Sequence, residues 1–201
     1  MGCLNVIIDC LDTLSSDIGS TTQTYKFLHE VLSLVQARAS KTLNLSARST
    51  LTNGTVPSRL VLHGLQTCKL TPLLIQPAFS PSLICLLAHP SALLVHLAGE
   101  YLTPPPPASP DAKFWGVFLP VSERNHECER LVFGNDGEGT GSTTELVVEV
   151  LVRGLQGSGK RRGVERTLEG WSSSEGVCEL MKLENLKGLW RKHEAIADSQ
   201  V

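Results

Sequence analysis

Aromatic side chains are scarce: five Phe, three Trp and two Tyr, 5% of 201 residues. So thin a set excludes an extended platform on which bases stack. Long hydrophobic runs are missing as well. The longest apolar stretch, Leu83 to Ala88, is far short of the ~18 residues a membrane-crossing helix needs. There is no excess charge of one sign. Lys plus Arg is 18 against 20 for Asp plus Glu, a net charge of −2, so the chain has no global field for nucleic acid. The six cysteines (Cys3, Cys10, Cys68, Cys85, Cys128, Cys178) include no CxxC pair. Their spread favours reduced, intracellular thiols over a disulfide frame. Cys10 and Cys85 sit in apolar runs, as buried free thiols do.

The first residues show no basic n-region and no signal-type apolar core with a small-residue cleavage site. Met1-Gly2 is followed by Val6 where a myristoylation motif takes Ser or Thr. Asn44-Leu45-Ser46 and Asn53-Gly54-Thr55 are formal glycosylation sequons, without meaning outside a secretory route. Apolar residues make up 41% and charged residues 19%, the composition of a chain that builds a core.

Leu4 to Cys10 is a β-branched apolar run carrying Asp9 near its end. It reads as a strand buried on both faces of a parallel sheet. Ser20, Thr21 or Thr22 can cap the helix that follows. In that helix Leu28, Val31, Leu32 and Val35 form one apolar stripe, with an end expected near Arg38. Residues 40–57 read as a polar surface loop, and Arg59 to His63 as a second short strand. Ser82 to His89 is expected to be a short apolar helix closed by Pro90. Ser91 to Tyr101 fits a helix or a strand equally well. Pro104 to Pro107 make 103–111 a Pro-rich, extended connector. Phe114 to Leu119 and Leu131 to Phe133 read as strands. Glu145 to Val152 is the strongest strand, and Gly163 to Trp171 returns from it as a hairpin. Cys178 to Leu183 suggests another strand, and Leu186 to Ala197 a terminal helix.

Gly154-Leu155-Gln156-Gly157-Ser158-Gly159-Lys160-Arg161 comes close to a phosphate-binding loop, GxxxxGK[ST]. Arg161 replaces the hydroxyl that holds magnesium, and no apolar helix follows to receive phosphate. Gly137 to Ser142 resembles a glycine fingerprint but precedes a strand and lies beside Asp136 and Glu138. Asp9 has the look of a Walker B carboxylate at a strand end, though a loop anchor is the commoner role. His126-Glu127-Cys128 lacks the second pair that zinc requires. His63, His89 and His96 lie in apolar segments and read as core or core-edge residues. No GxSxG elbow occurs. These readings assign no catalytic residue, no cofactor and no metal.

The element order carries a resemblance. Leu4 to Leu14 gives a Walker-B-like strand leading to an amphipathic helix. Ser58 to His63 is a strand opening on a small polar residue and Arg. An apolar stretch ends in Leu94-Val95-His96-Leu97-Ala98. Val148 to Trp171 forms a hairpin with Gly157-Ser158-Gly159-Lys160-Arg161-Arg162 in its turn. Over most of residues 4 to 190 this resembles the fungal Elongator complex protein 5 family. In that family a RecA-like fold persists while the ATPase motifs are eroded. The resemblance implies an α/β fold: a partial RecA-like parallel sheet with flanking helices and a C-terminal β-hairpin. It implies one RecA-like domain over 1–201, truncated on its N-terminal side, with an unpaired sheet edge. It further implies a non-catalytic subunit. Two related RecA-like Elongator subunits would share its hetero-hexameric ring, which serves the core Elongator complex in cytoplasm and nucleus. That ring supports wobble-uridine modification by binding and releasing tRNA. Lys160, Arg161 and Arg162, the only run of three basic residues, are then the expected RNA contact, with no membrane partner. Two alternatives stand beside this reading. One is a RecA-like nucleotide hydrolase using Asp9 and Lys160. The other is an unrelated intracellular α/β interaction domain.

Overall fold

A computed structural model describes residues 4–46, 58–65, 67–133, 144–154 and 164–190, with the side chains of 39–46, 125–127 and 133 outside that description. The chain divides into two compact units, Met1–Pro81 and Ser82–Val201, within the span that the sequence reads as one domain. Together they make a mixed α/β protein with a two-stranded parallel sheet and a four-stranded antiparallel sheet.

In the first unit β1 (Asn5–Ile8) runs parallel to β2 (Arg59–Leu62), in register from Asn5↔Arg59 to Ile8↔Leu62. The connection runs through helices, as a parallel pair requires. Helix α1 (Leu11–Ile18) stops at Gly19, whose φ of +71° lets its N–H return to the Ser15 carbonyl. Ser20 then opens α2 (Thr21–Ser46): its carbonyl accepts from the Thr24 N–H and from Thr24 Oγ1. The helix runs on to Ser46 instead of ending near Arg38. Residues 39–46 hold Ser, Thr and Asn but neither Gly nor Pro, so nothing breaks the hydrogen-bond ladder. Only 47–57 of the expected 40–57 loop is left, and it lies outside the described residues.

Leu11, Leu28, Cys68, Leu70, Leu74 and Phe79 form the core of this unit; Leu74 belongs to the short helix α3 (Thr71–Leu74). The strands are not buried on both faces as expected. Ile7 is 69% exposed, and residues alternate between exposed and half-buried along β1 and β2. Two strands present one inner face to α1 and α2 and leave the other open.

The second unit has strand order β3 (Leu83–Pro90), β4 (Glu145–Arg153), β5 (Val164–Ser172), β6 (Gly176–Cys178), all antiparallel. The hairpin read from the sequence is β4–β5, paired over Glu145↔Ser172 to Arg153↔Val164. Of residues 82–89, expected to be helical, 83–89 lie in β3 instead, and Pro90 ends that strand. A six-residue apolar run has no period to separate helix from strand, and pairing with β4 decides it. The reverse happens at 114–119. Aromatic content suggests a strand, yet Asp111–Ser122 is helix α5. Phe114, Phe118 and Val121 recur at helical spacing and all turn inward. Leu131 to Phe133 is likewise the end of helix α6 (Asn125–Phe133), and Ser91–Glu100 is helix α4. Cys178 ends β6, and 3₁₀ turns follow at Leu180–Lys182 and Glu184–Leu186 in place of the expected strand. The Glu145 carboxylate fastens the second turn, accepting from the N–H groups of Glu184 (2.9 Å) and Asn185 (3.3 Å). Residues 187–190 are helical, at the start of the expected terminal helix, whose remainder lies outside the described residues.

Residues 103–111 do not separate the units. Thr103, Pro105 and Ser109 are buried, and the Thr103 N–H donates to the Leu97 carbonyl. The prolines thus make a packed bridge from α4 to α5.

The three helices cover one face of the sheet. Leu93, Leu94, Leu97, Phe114, Phe118, Val121, Cys128, Val147, Leu183 and Leu186 close a continuous core there. On the opposite face the register aligns Ile84 with Val152, Leu86 with Val150 and Ala88 with Val148. Ile84 and Leu86 remain exposed on it.

Candidate functional site

Ligands of parallel sheets gather at the carboxyl ends of strands, and in the first unit β1 and β2 deliver Asp9 and His63 side by side. The His63 N–H donates to the Ile8 carbonyl and the Leu11 N–H to the His63 carbonyl, each at 2.9 Å, so the two strand ends are laced together. With Nδ1 protonated, His63 donates to the Asp9 carbonyl at 2.7 Å and lies 3.3 Å from Asp9 Oδ1. One turn on, Asp12 Oδ2 accepts from the Leu65 N–H at 2.8 Å, and Cys10 Sγ lies 2.9 Å from Thr13 Oγ1. The Asp9 and His63 side chains are 94% and 72% exposed, a setting in which an ion pair adds little stability. The Asp9 backbone carbonyl and the Asp12 carboxylate hold the chain leaving β2. Among the described residues no three His, Cys, Asp or Glu side chains converge as a metal site would require.

Lys160, Arg161 and Arg162 fall outside the described residues, as do Gly137 to Ser142. Their flanks are described. β4 ends at Arg153, opposite Val164, the first residue of β5. A phosphate-binding loop feeds a helix; here the next described element after Lys160 is the strand β5.

The histidines separate. His89 is buried, His96 is half-buried against Tyr101 at a ring distance of 5.8 Å, and His63 is exposed, against the expectation of a core-edge residue. Of the two thiols expected to be buried, Cys10 is exposed and Cys85 half-buried, while Cys68 and Cys128 are the buried ones.

Reading the sequence misses a buried polar cluster in the second unit. Glu149 stands in the middle of β4, its side chain 1% exposed. It faces the helices from a pair position with Leu87 and Leu168, and His89 and Arg166 are its diagonal neighbours on β3 and β5. His89 Nε2 lies 3.2 Å from Glu149 Oε2, and Arg166 Nη1 donates to Oε1 at 2.5 Å. The His89 ring meets the Phe118 ring edge-on at 5.2 Å, and its Nδ1 has no hydrogen-bond partner among the described residues. The signal is present in the sequence: Glu149 shares the period-2 face of Val147 and Leu151, so a carboxylate sits on the buried side of an apolar strand.

Burial raises the Cys68 thiol above its ordinary pKa, and the Asp12 carboxylate pushes the same way. Burial also raises Cys85, with Glu149 adding to the shift and Arg166 opposing it. A raised thiol holds its proton more tightly in the folded chain. The resulting stabilisation is full below about pH 8.5, the ordinary thiol value, and is lost as pH rises through the folded values. Alkylation of the folded chain, followed by intact mass and peptide mapping from pH 7 to 10, should modify exposed Cys10 before buried Cys68 and Cys128. Cys68 should lag at every pH and begin to react only at the alkaline end. Equal rates for Cys10 and Cys68 at pH 7 would contradict the burial assigned to Cys68.

No protein-family model, curated protein or solved structure matches this chain.

Proposed function

We propose that this chain is a non-catalytic assembly subunit of the RecA-like accessory ring of the Elongator complex. The observation that carries the reading is β5. It is a strand paired antiparallel to β4 where a phosphate-binding loop would need a helix, and the glycine-rich basic segment spans the two strand ends. The parallel β1–β2 pair with its helical crossover, and the carboxylate at the end of β1, fit a partial RecA-like sheet. The Asp9 carboxylate, exposed beside His63, is then a remnant of a Walker B position. The partners of this reading are two related RecA-like subunits in a hetero-hexamer, the core Elongator complex, and tRNA. Its location is cytoplasm and nucleus.

Affinity purification of the full chain from its native cells, with mass spectrometry, tests the assembly. Two RecA-like partners and Elongator subunits should be recovered; their absence from a purification that retains the bait overturns the reading. Within the recovered ring, replacing Lys160, Arg161 and Arg162 together by Ala should weaken tRNA binding and leave assembly intact. The log–log salt slope should become shallower by about 0.7–0.9 for each phosphate that is no longer neutralised. Repetition of the segment around a ring multiplies weak interactions, so the loss of affinity should be larger in the ring than in the isolated chain. An unchanged affinity and slope would leave the triplet without a role in RNA binding.

A further inference from the structure

We propose that two copies of this chain pair through β3, joining their four-stranded sheets into one of eight strands. The proposal rests on β3 alone and is independent of the Elongator reading. β3 is an edge. All eight of its residues pair with β4, from Leu83↔Arg153 to Pro90↔Leu146. Among the described residues no other segment makes a backbone hydrogen bond to it. Alternate N–H and C=O groups of an antiparallel strand point to opposite sides, so half of those on β3 face outward without a ladder.

Edge strands are ordinarily protected by charge, by proline, by a bulge or by being short. The opposite edge, β6, is protected by length, with three residues before the chain turns away. β3 has none of these protections. Leu83-Ile84-Cys85-Leu86-Leu87-Ala88-His89-Pro90 carries no Lys, Arg, Asp or Glu, and its proline stands at the last position. Ile84 and Leu86 are 58% and 64% exposed. An outward row of backbone groups flanked by apolar side chains specifies its ligand: an extended strand, uncharged, and apolar on the face of Ile84 and Leu86.

β3 itself meets that description. A two-fold axis perpendicular to the sheet maps each face onto itself, so antiparallel self-pairing keeps inward residues inward. Centred on Leu86, it sets Leu86 against its own copy, Ile84 against Ala88 and Cys85 against Leu87. No pair brings like charges together, and such isologous pairing closes at two copies. The apolar strip on this face of one sheet (exposed Ile84 and Leu86, half-buried Val148 and Val150) then continues into its copy. Eight strands lie within the ordinary range for an open sheet. An interface of one strand falls short of the roughly 800 Å² per partner of a standard interface, so association is expected in the micromolar range.

Sedimentation equilibrium on the full chain from about 1 to 200 μM, read against this affinity range, should show the mass rising from 21.8 kDa toward twice that value. Leu86→Lys and Leu86→Glu, each at an exposed position, should stay monomeric, because each opposes its own charge across the axis. An equimolar mixture of the two should dimerise again, which a mere change of solubility does not produce. Amide exchange of the unsubstituted chain supplies a second reading that requires no variant: protection of residues 83–90 should increase with protein concentration. A single monomeric mass over the whole range overturns the proposal. So does a Leu86→Lys chain that dimerises as well as the original, or β3 protection independent of concentration.

Discussion

Glu149→Ala should destabilise the second unit by about 3–5 kcal/mol, the usual result of removing one partner from a buried charged cluster. The loss has two parts. His89, as buried as Glu149 itself, would lose the hydrogen bond of Nε2 while Nδ1 already lacks one. Arg166 would keep a charge held against the sheet with nothing to neutralise it. Urea unfolding read by tryptophan fluorescence is the appropriate measurement, because Trp115, Trp171 and Trp190 all belong to this unit. A triple replacement, His89→Leu with Glu149→Leu and Arg166→Met, should recover most of the loss, since it removes the desolvated polar groups together. If Glu149→Ala shifts the free energy by less than about 1 kcal/mol, a surface-like value, the carboxylate is not held as described.

Phe118→Ala should cost a similar amount, about 3–5 kcal/mol, for an unrelated reason. The Phe118 ring is completely buried and meets Phe114 and Trp115 at 5.4 Å and His89 at 5.2 Å. Truncation leaves a cavity lined by rings from α5 and by β3, and neither element can close on it without giving up other packing. Phe118→Leu should retain more than half of the stability, because it preserves most of the volume. Equal losses for Ala and Leu would mean that ring geometry, and not filled volume, sets the energy there.

The parts legible in the sequence are those whose signal is local. Leu28, Val31, Leu32 and Val35 mark α2 by spacing alone, and the β4–β5 hairpin follows from one apolar run and one alternating segment around a glycine-rich turn. β3 is not legible, because Leu83 to Ala88 is apolar throughout and pairing with β4, some sixty residues later, makes it a strand. α5 misleads because Phe and Trp favour strands on average, although Phe114, Phe118 and Val121 already keep helical spacing. The strand-end site is half legible. Asp9 declares itself, but its meeting with His63 depends on a register across 54 residues. The buried cluster has the same dependence: Glu149 finds His89 and Arg166 only when three strands are aligned, at separations of 60 and 17 residues.

The β4–β5 register is held by nine consecutive pairs, and eight pairs with β3 fix β4 on its other side, while ten residues, 154–163, join β4 to β5. Closing a loop of that length costs only about 0.6 kcal/mol more for each doubling. The connecting segment therefore does not dictate the alignment, as a two-residue turn would. Lys160, Arg161 and Arg162 sit where a sequence can lengthen, shorten or exchange charge with little penalty to folding. Substitutions within 154–163 and substitutions within the paired strands therefore fall on separate residues, so the basic triplet can be changed while β4 and β5 keep their pairing.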